Sequence, residues 1–325
     1  MQYRDLTVAL IVPCHNEEKT IATVLREFQQ ALPALEAYVF NNSSSDDTAE
    51  IARREKAIVI NVPLKGKGNV VRRMFSDVEA DIYVMVDGDA TYHAPSVTTM
   101  IDKLIDESLD MVVGVRQTPS EHAGAAYRHG HQWGNYALTQ SVMRIFGGQF
   151  TDMLSGYRVF TRRYVKSFPA LSRGFEIETE LTVHALVLRM PYGEVNTPYG
   201  ARPPGSESKL STYKDGWRIA MTINKLYISE RPLAFFGIAS IIIALIAVVL
   251  SIPIAVEFIE TGAVPRFPTA ILSASLMVCS LLSFSCGLVL DNVTRGRHEM
   301  KRLAYLAIPG LQRSITKSDS PNTQP

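Results

Sequence analysis

The sequence predicts an α/β protein with a mostly parallel sheet, followed by two membrane-spanning helices. Over the first 115 residues, short apolar runs alternate with segments of helical spacing. This alternation is typical of βαβ units and of a parallel, twisted sheet. Farther along, residues 232–256 and 267–290 carry no charge, and each stretch reaches the roughly 20 residues needed to cross a bilayer. The chain therefore divides into an α/β part and a membrane part.

The apolar runs and the helical spacing set the expected order of elements. Strands are predicted at residues 6–12, 37–40, 57–62, 82–86 and 111–115. Helices are predicted at residues 18–31, 46–55, 69–77 and 95–107. Residues 116–150 show a less regular pattern, and Gly147-Gly148 separates them from a second block at 151–200. Only the polar end, 314–325, has a composition that predicts disorder.

Composition excludes several classes of protein. The formal net charge is +1 over 325 residues, which gives no field for binding nucleic acid. Three cysteines cannot form a dense disulfide framework, and this low cysteine content is consistent with a reducing compartment that faces the cytosol. The first residues lack the long apolar segment of a secretory signal, and we expect the N-terminal part to stay in the cytosol.

The domain boundaries follow from these shifts in composition. We expect an α/β domain at 1–212, an amphipathic segment at 213–231, spans at 232–256 and 267–290 joined by a loop at 257–266, and a basic tail at 291–325. The segment at 213–231 fits either a helix in the membrane interface or a core helix of the α/β domain. Basic residues flank the pair of spans, whereas the connecting loop is mainly acidic, so both ends are predicted to be cytoplasmic.

Asp87-Gly88-Asp89 is the tripeptide with the clearest chemistry. It follows the predicted buried strand at 82–86, and side chains two apart on an extended chain share a face. Ligands of open α/β sheets bind at the carboxyl ends of the strands. Two carboxylates there suit Mg²⁺ or Mn²⁺, with nucleotide phosphates completing the coordination. Taken alone, the tripeptide could equally be a polar turn.

Three more polar clusters follow predicted strands. They are Pro13-Cys14-His15-Asn16-Glu17-Glu18, Asn41-Asn42-Ser43-Ser44-Ser45-Asp46-Asp47-Thr48 and Lys65-Gly66-Lys67-Gly68. Each could contact a ligand, and the last precedes a helix whose N-terminus could hold phosphate. Each also has a structural interpretation, as first-turn charges or as helix caps. The Lys-Gly-Lys-Gly segment lacks the length and ending of a P-loop.

The order of these clusters resembles that of the family-2 glycosyltransferases of the GT-A fold. Pro-x-x-Asn-Glu comes first, then a Ser/Asp-rich strand end, Gly-Lys-Gly and Asp-x-Asp. The segment from Asp152 to Arg158 resembles that family's Asp-x-x-Ser-Gly-(Phe/Tyr)-Arg motif, and Arg202 with the Gly-Ser-Glu-Ser-Lys segment that ends at Lys209 resembles the loop of its polyprenyl-phosphate members. With two C-terminal spans, the chain looks most like bacterial enzymes that charge a lipid carrier for O-antigen modification, with dolichyl-phosphate mannose synthases as relatives.

The resemblance implies roles for individual residues. Those implied to bind the nucleotide-sugar are Pro13, Asn16, Glu17, Asn42, Lys67, Asp87, Gly88, Arg202 and Lys209. Asp87 and Asp89 would also hold Mg²⁺ or Mn²⁺, and Asp152 matches the catalytic carboxylate. Asn41 and Asn42 stand where the family usually has an aspartate pair. Thr91 stands where relatives often have a glutamine, which leaves the third metal ligand open.

The implied reaction moves one hexose, with inversion, from a nucleotide-sugar to polyprenyl phosphate at the cytoplasmic membrane face. UDP-glucose and undecaprenyl phosphate are the first expectations, and a homo-oligomer is possible. Because the acceptor phosphate is mostly ionised near neutral pH, Asp152 either takes a residual proton or orients the acceptor. Arg116, Arg128 and His131 either steer that phosphate or form a solvated basic surface.

Two other functions remain open, and a third is disfavoured. The chain could be a mannosyltransferase that uses GDP-mannose, or a non-catalytic, membrane-anchored protein that binds nucleotide-sugars. A processive polysaccharide synthase is the nearest enzymatic rival. Such enzymes carry a Gln-x-x-Arg-Trp motif and many spans, whereas this sequence has no such motif and only two predicted spans.

Overall fold

A computed structural model describes residues 2–117, 129–203 and 212–311, with the side chains of 129–133 and 212–215 outside the description. The chain forms two compact units, Met1–Thr222 together with Lys301–Pro325, and Ile223–Met300. The predicted disordered end, 314–325, lies outside the described residues.

The first unit is built on a seven-stranded sheet. Its strands are β1 Val8–Cys14, β2 Leu35–Asn41, β3 Ile58–Asn61, β4 Ile82–Met85, β5 Met111–Gln117, β6 Arg158–Thr161 and β7 Tyr192–Pro198. Their order across the sheet is β3-β2-β1-β4-β6-β5-β7. Only β6 runs antiparallel to its neighbours, β4 and β5. The mostly parallel α/β sheet predicted from the sequence is confirmed.

Helices connect these strands and carry the chain into the second unit. They are α1 Ile21–Ala31, α2 Thr48–Arg54, α3 Lys67–Asp77, α4 Ser96–Asp106, α5 His129–Phe146, α6 Arg162–Ser167, α7 Ile177–Leu188, α8 Thr212–Glu230, α9 Pro232–Thr261 and α10 Phe267–Leu306. The first four match the predicted helices to within a few residues. The expectation of a less regular segment at 116–150 was wrong for two parts of it, because Arg116 belongs to β5 and a helix, α5, covers 129–146; residues 118–128 lie outside the description.

The register of the sheet brings the polar strand ends together. β1 pairs in parallel with both β2 and β4, so that Cys14 lies beside Asn41 and Ile11 beside Met85. Central strands are apolar on both faces, and every residue of Ile82–Met85 is buried. Such two-sided burial is typical of parallel strands covered by helices. The clusters after β1, β2 and β4 therefore meet at one edge.

Arg158 is a fully buried cation that shapes the segment before β6. Its guanidinium donates to the main-chain oxygens of Ser155 at 3.0 Å and of Met153, and to Thr182 Oγ1 at 3.1 Å. Burial lowers the pKa of Arg158, with nearby acidic groups acting in the opposite direction. Because several carbonyl oxygens share this one donor group, the backbone of the segment Asp152–Arg158 is held in a defined path.

The second unit is a pair of long apolar helices, α9 and the greater part of α10. By length and composition, both could cross a membrane. Large apolar side chains such as Ile241, Leu245 and Val249 are exposed along α9. The helices contact through small polar residues, with Ser240 Oγ 2.9 Å from Ser280 Oγ. Small interfacial residues and such hydrogen bonds are typical of helix pairs in lipid.

The end of α10, from Lys301 onward, belongs to the first unit. Tyr305 Oη donates to Asp110 Oδ2 at 2.6 Å, and the Arg163 guanidinium lies 4.7 Å from the centre of the Tyr305 ring. Asp110 is fully buried and also pairs with Arg163. Helix α10 thus continues past the expected span end at residue 290, and its last turn packs on the α/β unit.

We expect Tyr305→Phe to lower the thermal midpoint of the detergent-purified protein by about 2–4 °C. The substitution keeps the ring beneath Arg163 and removes one hydrogen bond to a buried carboxylate. Differential scanning fluorimetry measures the shift. Tyr136→Phe, at a tyrosine that is 62% exposed, is the matched control and should leave the midpoint unchanged. An equal midpoint for both variants would contradict a contribution from this hydrogen bond.

Candidate active site

A cavity of about 310 Å³ opens at the carboxyl ends of β1 and β4. The predicted site residues that line it are Pro13, Glu17, Asn42, Lys67, Asp87, Gly88, Asp89, Arg116 and Arg202. Asn16 and Asp152 are not among its lining residues. Arg128 and Lys209 lie outside the described residues, as does the side chain of His131, which is in the first turn of α5.

Asp87 and Asp89 each face a basic side chain. Lys67 Nζ lies 2.5 Å from Asp87 Oδ1, and Arg202 Nη2 lies 2.6 Å from Asp89 Oδ2. Thr91 Oγ1 donates to Asp89 Oδ1 at 2.6 Å. Burial and the neighbouring charge of Asp87 raise the pKa of Asp89, and Arg202 and Thr91 only partly offset them. The negative charges of Asp87 and Asp89 therefore repel each other, and nearby cations favour the ionised form of both carboxylates.

Main-chain contacts beyond β7 carry Arg202 to this place. Tyr199 forms an isolated bridge with Tyr92, and the N–H of Gly200 donates to the carbonyl oxygen of Thr91 at 2.8 Å. The chain after β7 is therefore fixed alongside the residues that follow Asp89. This pairing joins parts of the chain more than a hundred residues apart, and it explains how Arg202 reaches a carboxylate after β4.

Asn42 positions the loop that ends at Lys67. Its side-chain nitrogen donates to the carbonyl oxygens of Val62 at 3.0 Å and Leu64 at 2.7 Å, and its side-chain oxygen accepts from Gly66 N–H at 2.8 Å. Gly66 has a backbone φ of +120°, a conformation that residues other than glycine rarely adopt. The Asn42 amide is thus occupied within the loop, and its contact with a base or ribose stays a prediction.

Lys67 is a buried cation that bridges two acidic groups. Its Nζ lies 2.5 Å from Asp87 Oδ1 and 2.5 Å from Glu178 Oε1. Burial alone would lower the pKa of Lys67, but the two carboxylates outweigh it and the net shift is upward. The pKa of Glu178 is raised by burial, against the opposing charge of Lys67. Lys67 therefore carries its charge at neutral pH.

Asp152 lies behind two residues of the cavity wall. Arg116 donates to it through Nε and Nη2, both at 2.7 Å, and Asn135 Nδ2 donates at 2.9 Å. Burial would raise the pKa of Asp152, but the charge and hydrogen bonds of Arg116, with that of Asn135, bring it below the ordinary value. A carboxylate held in this way orients its partners well and accepts protons poorly.

Asn16 ties two loops together at the rim. Its backbone has φ of +54°, its side-chain oxygen accepts from Ser45 N–H at 2.8 Å, and its own N–H donates to Ser44 Oγ at 3.0 Å. These bonds join the loop after β1 to the loop after β2. A direct contact between Asn16 and a nucleotide-sugar remains a prediction.

The donor chemistry of the site fits a divalent cation that arrives with a diphosphate. Asp87 and Asp89 supply hard oxygen ligands in the same cavity. Within the described part of the chain, no group of three or more His, Cys, Asp or Glu side chains could hold a metal by itself. Mg²⁺ is typically held by one or two carboxylates together with substrate phosphates. Thr91, the residue at the open ligand position, hydrogen-bonds Asp89 instead of adding a charge.

Several cavity residues were not identified from the sequence. They include Tyr92, Asn135, Leu138, Leu154, Phe175, Glu178 and Tyr199. Glu178 could have been recognised as a candidate, because it is an acidic residue in a helix that is buried on almost every side. The others have common residue types in segments whose position only the tertiary fold determines.

Gly156 keeps the space that the Asp87 carboxylate occupies, since a Cβ at Gly156 would overlap Asp87 Oδ2. We expect Gly156→Ala to lower kcat/KM by about 10- to 100-fold, because small displacements of a binding group are costly in catalysis. The fold should persist, because the colliding atom is a side-chain oxygen. Gly296→Ala is the control, because Gly296 does not line the cavity and an added Cβ would meet nothing within 4 Å beyond its chain neighbours and its own helix backbone. Equal activity of the two variants would contradict this placement of Asp87.

The comparisons with known proteins agree with this geometry. The model of the glycosyl transferase family 2 matches residues 9–168. The glycosyltransferase AglJ of Haloferax volcanii is 31% identical over 301 residues, covering 92% of this chain and 98% of AglJ. This chain belongs to the family-2 glycosyltransferases. The family resemblance stated from its motifs is confirmed, and the protein is a glycosyltransferase.

Further relatives of this glycosyltransferase cover smaller parts of it. Protein RfbJ of Shigella flexneri is 54% identical over 130 residues, which are 40% of this chain and 99% of RfbJ. A dolichyl-phosphate hexose transferase of Haloferax volcanii is 26% identical over 230 residues, covering 71% of this chain and 98% of that protein.

The fold is that of a solved glycosyltransferase structure. The glucosyl-3-phosphoglycerate synthase of Mycobacterium tuberculosis, in complex with Mn²⁺, UDP-glucose and phosphoglyceric acid, is 20% identical with a TM-score of 0.53. The match covers 69% of this glycosyltransferase and 79% of the synthase. The GT-A-like α/β domain predicted from the sequence is therefore confirmed.

Proposed function

We propose that this glycosyltransferase transfers one hexose from a nucleotide-sugar to a polyprenyl phosphate at the cytoplasmic membrane face. UDP-glucose is the first candidate donor and undecaprenyl phosphate the first candidate acceptor. The product is a polyprenyl-phosphate-sugar with the inverted linkage, for use in modifying cell-envelope glycans.

One observation carries the proposal. Within a single cavity the protein gathers the carboxylates Asp87 and Asp89 and the cations Lys67, Arg116 and Arg202. Two carboxylates suit a metal on a donor diphosphate. Cations around them suit the negative charges of a diphosphate and of a second phosphate group. This charge pattern supports a reaction between two phosphorylated substrates.

The reaction exchanges one C–O bond for another at C1 of the sugar. An oxygen of the acceptor phosphate forms the new bond as the bond to the donor diphosphate breaks, and the nucleoside diphosphate leaves with the bonding electrons. When bound at Asp87 and Asp89, Mg²⁺ or Mn²⁺ supplies positive charge to the diphosphate. Lys67 and Arg202 add fixed positive charge beside it, where charge accumulates in the transition state.

Arg116 is our candidate for the acceptor side. It lines the cavity, and Asp152 and the ring of Tyr199, whose centre is 5.6 Å away, fix its position. An acceptor phosphate is mostly ionised near neutral pH, since its second pKa is about 6. A cation that attracts and orients the nucleophile is then more useful than a strong base.

The two apolar helices support a membrane-borne acceptor. Their exposed aliphatic side chains suit contact with lipid. A lipid phosphate resides at the membrane surface, so an anchored enzyme stays near it. The name of one relative, a dolichyl-phosphate hexose transferase, also supports this class of acceptor. The basic flanks of the helix pair support a cytoplasmic active site.

The test is a transfer assay with the full chain in detergent. Purified protein is incubated with Mg²⁺ or Mn²⁺, undecaprenyl phosphate and radiolabelled UDP- and GDP-sugars, one at a time. We expect organic-extractable label with one donor, dependent on the acceptor and abolished by EDTA. The anomeric coupling in the product's NMR spectrum reports the inversion.

The same panel separates the alternatives. Label from GDP-mannose alone would identify a mannosyltransferase and contradict the choice of UDP-glucose. Binding of a nucleotide-sugar without transfer to any acceptor would favour the non-catalytic alternative. The absence of extractable label with every donor would contradict the proposed function.

A further inference from the structure

Glu178 lines the cavity and has a carboxylate oxygen without a hydrogen-bond partner among the described residues. The residue is 4% exposed and lines the cavity from the first turn of α7. Its Oε1 pairs with Lys67, whereas its Oε2 has no hydrogen-bond partner among the described residues. A buried polar atom without a partner is costly. The cavity therefore contains an acceptor that a ligand can satisfy.

The position of Glu178 is fixed by its surroundings. Its main-chain oxygen accepts from Arg158 Nη2 at 3.2 Å and from Thr182 Oγ1 at 3.1 Å. Two residues later, Glu180 accepts from the N–H groups of Leu171 and Ser172 at 2.9 and 2.7 Å. The start of α7 is thus held from both sides, and the open oxygen is a built feature of the cavity wall.

A single ammonium group separates Glu178 from Asp87. Lys67 Nζ contacts both carboxylates at 2.5 Å, so Glu178 lies close to the place proposed for the donor diphosphate. A carboxylate paired with Lys67 accepts hydrogen bonds and repels phosphate groups. The part of a ligand that meets Oε2 is therefore neutral and carries a hydrogen-bond donor.

We infer that Glu178 is a sugar-binding residue, whose Oε2 accepts a hydrogen bond from a hydroxyl group of the hexose to be transferred. Resting on the proposed function, this inference names the residue that distinguishes a nucleotide-sugar from the bare nucleoside diphosphate. Lys67 holds Glu178 through Oε1 and so links the sugar contact to the diphosphate contact. The hydroxyl donor satisfies the oxygen that has no partner among the described residues.

Calorimetry on the full-length protein in detergent with Mg²⁺ tests the inference. UDP, UDP-glucose, UDP-galactose, GDP and GDP-mannose are titrated into the wild type and into Glu178→Gln. For the preferred nucleotide, we expect Glu178→Gln to weaken binding of the nucleotide-sugar by about tenfold and to leave the nucleoside diphosphate within about twofold. Glu176→Gln is the matched control, since Glu176 is two residues away and does not line the cavity.

A set of monodeoxy analogues of the preferred sugar nucleotide identifies the contact. The wild type should lose affinity for one analogue by about tenfold, and Glu178→Gln should bind that analogue and the parent sugar nucleotide equally. This coupling is the signature of a direct interaction. The wild-type series needs no variant, so it can still overturn the inference if Glu178→Gln fails to fold.

Failure of the proposed sugar contact and failure of the proposed function give different results in these experiments. Equal weakening of nucleoside diphosphate and nucleotide-sugar by Glu178→Gln, or no change in either, would overturn the sugar contact and leave the proposed function standing. A wild type that shows no affinity difference for any deoxy analogue would do the same. A wild type that binds none of the five nucleotides would overturn the proposed function, and the sugar contact with it.

Discussion

Replacing Asp89 by asparagine is expected to lower kcat by about a thousandfold while the protein stays folded. The carboxylate is one of two that would hold a metal on the donor diphosphate, and loss of such charge stabilisation typically costs several kcal/mol in the transition state. Asparagine keeps the side-chain oxygen that accepts from Thr91. The substitution therefore removes the negative charge and, with it, the ion pair with Arg202.

Stability should respond in the opposite direction. The pKa of Asp89 is raised by burial and by Asp87, so the folded state disfavours its charged form relative to the unfolded chain. The neutral asparagine escapes this cost, and we expect an unchanged or higher thermal midpoint. Loss of activity without loss of stability is typical of residues kept for function.

The transfer assay and scanning fluorimetry measure these two effects together. Asp106→Asn is the control, because Asp106 is exposed and pairs only with Arg4 among the described contacts. An exposed pair contributes little, and we expect its activity within about twofold of the wild type. Activity of Asp89→Asn within tenfold of the wild type would contradict the metal assignment.

The α/β fold could be predicted because its signals are local. Each parallel strand is a short apolar run, and each connecting helix shows its own spacing, so the βαβ order can be recognised without tertiary contacts. Helix α5 was missed because its sequence, from His129 to Phe146, mixes glycine, histidine and polar residues without a regular apolar face.

Without the family resemblance, the sequence pattern indicates site residues only where a polar side chain follows a strand. Asp87 and Asp89 come directly after β4, and topology brings that end into the cavity. Arg202 depends on the bridge between Tyr199 and Tyr92, which no local pattern encodes. The motif match identified Asp152, but its place behind Arg116 follows from a pairing across 36 residues.

Asp152→Asn is expected to lower kcat by about a hundredfold through its effect on Arg116. The two residues share a bidentate ion pair with both distances at 2.7 Å. Asparagine offers one acceptor where the carboxylate offers two, so the guanidinium loses its fixed orientation. Arg116→Gln should cost a similar factor, since it removes the cation itself.

The double variant shows whether the two residues act as one unit. If Asp152 works by orienting Arg116, Asp152→Asn should add little to the loss already caused by Arg116→Gln. If Asp152 contacts a substrate on its own account, the two losses should multiply. Steady-state kinetics of the wild type, both single variants and the double variant decide between these outcomes.

The pH dependence separates orientation from proton transfer. Burial would raise the pKa of Asp152, but Arg116 and Asn135 lower it below the ordinary aspartate value. Asp152 thus stays ionised in the range where the acceptor phosphate titrates, near its second pKa of about 6.

For an orienting residue, the activity ratio of wild type to Asp152→Asn should be constant across that range. For a proton acceptor, the deficit should shrink as rising pH ionises the acceptor without help. We expect the constant ratio, because a carboxylate with a lowered pKa that accepts four hydrogen bonds from Arg116 and Asn135 has little capacity to take a proton.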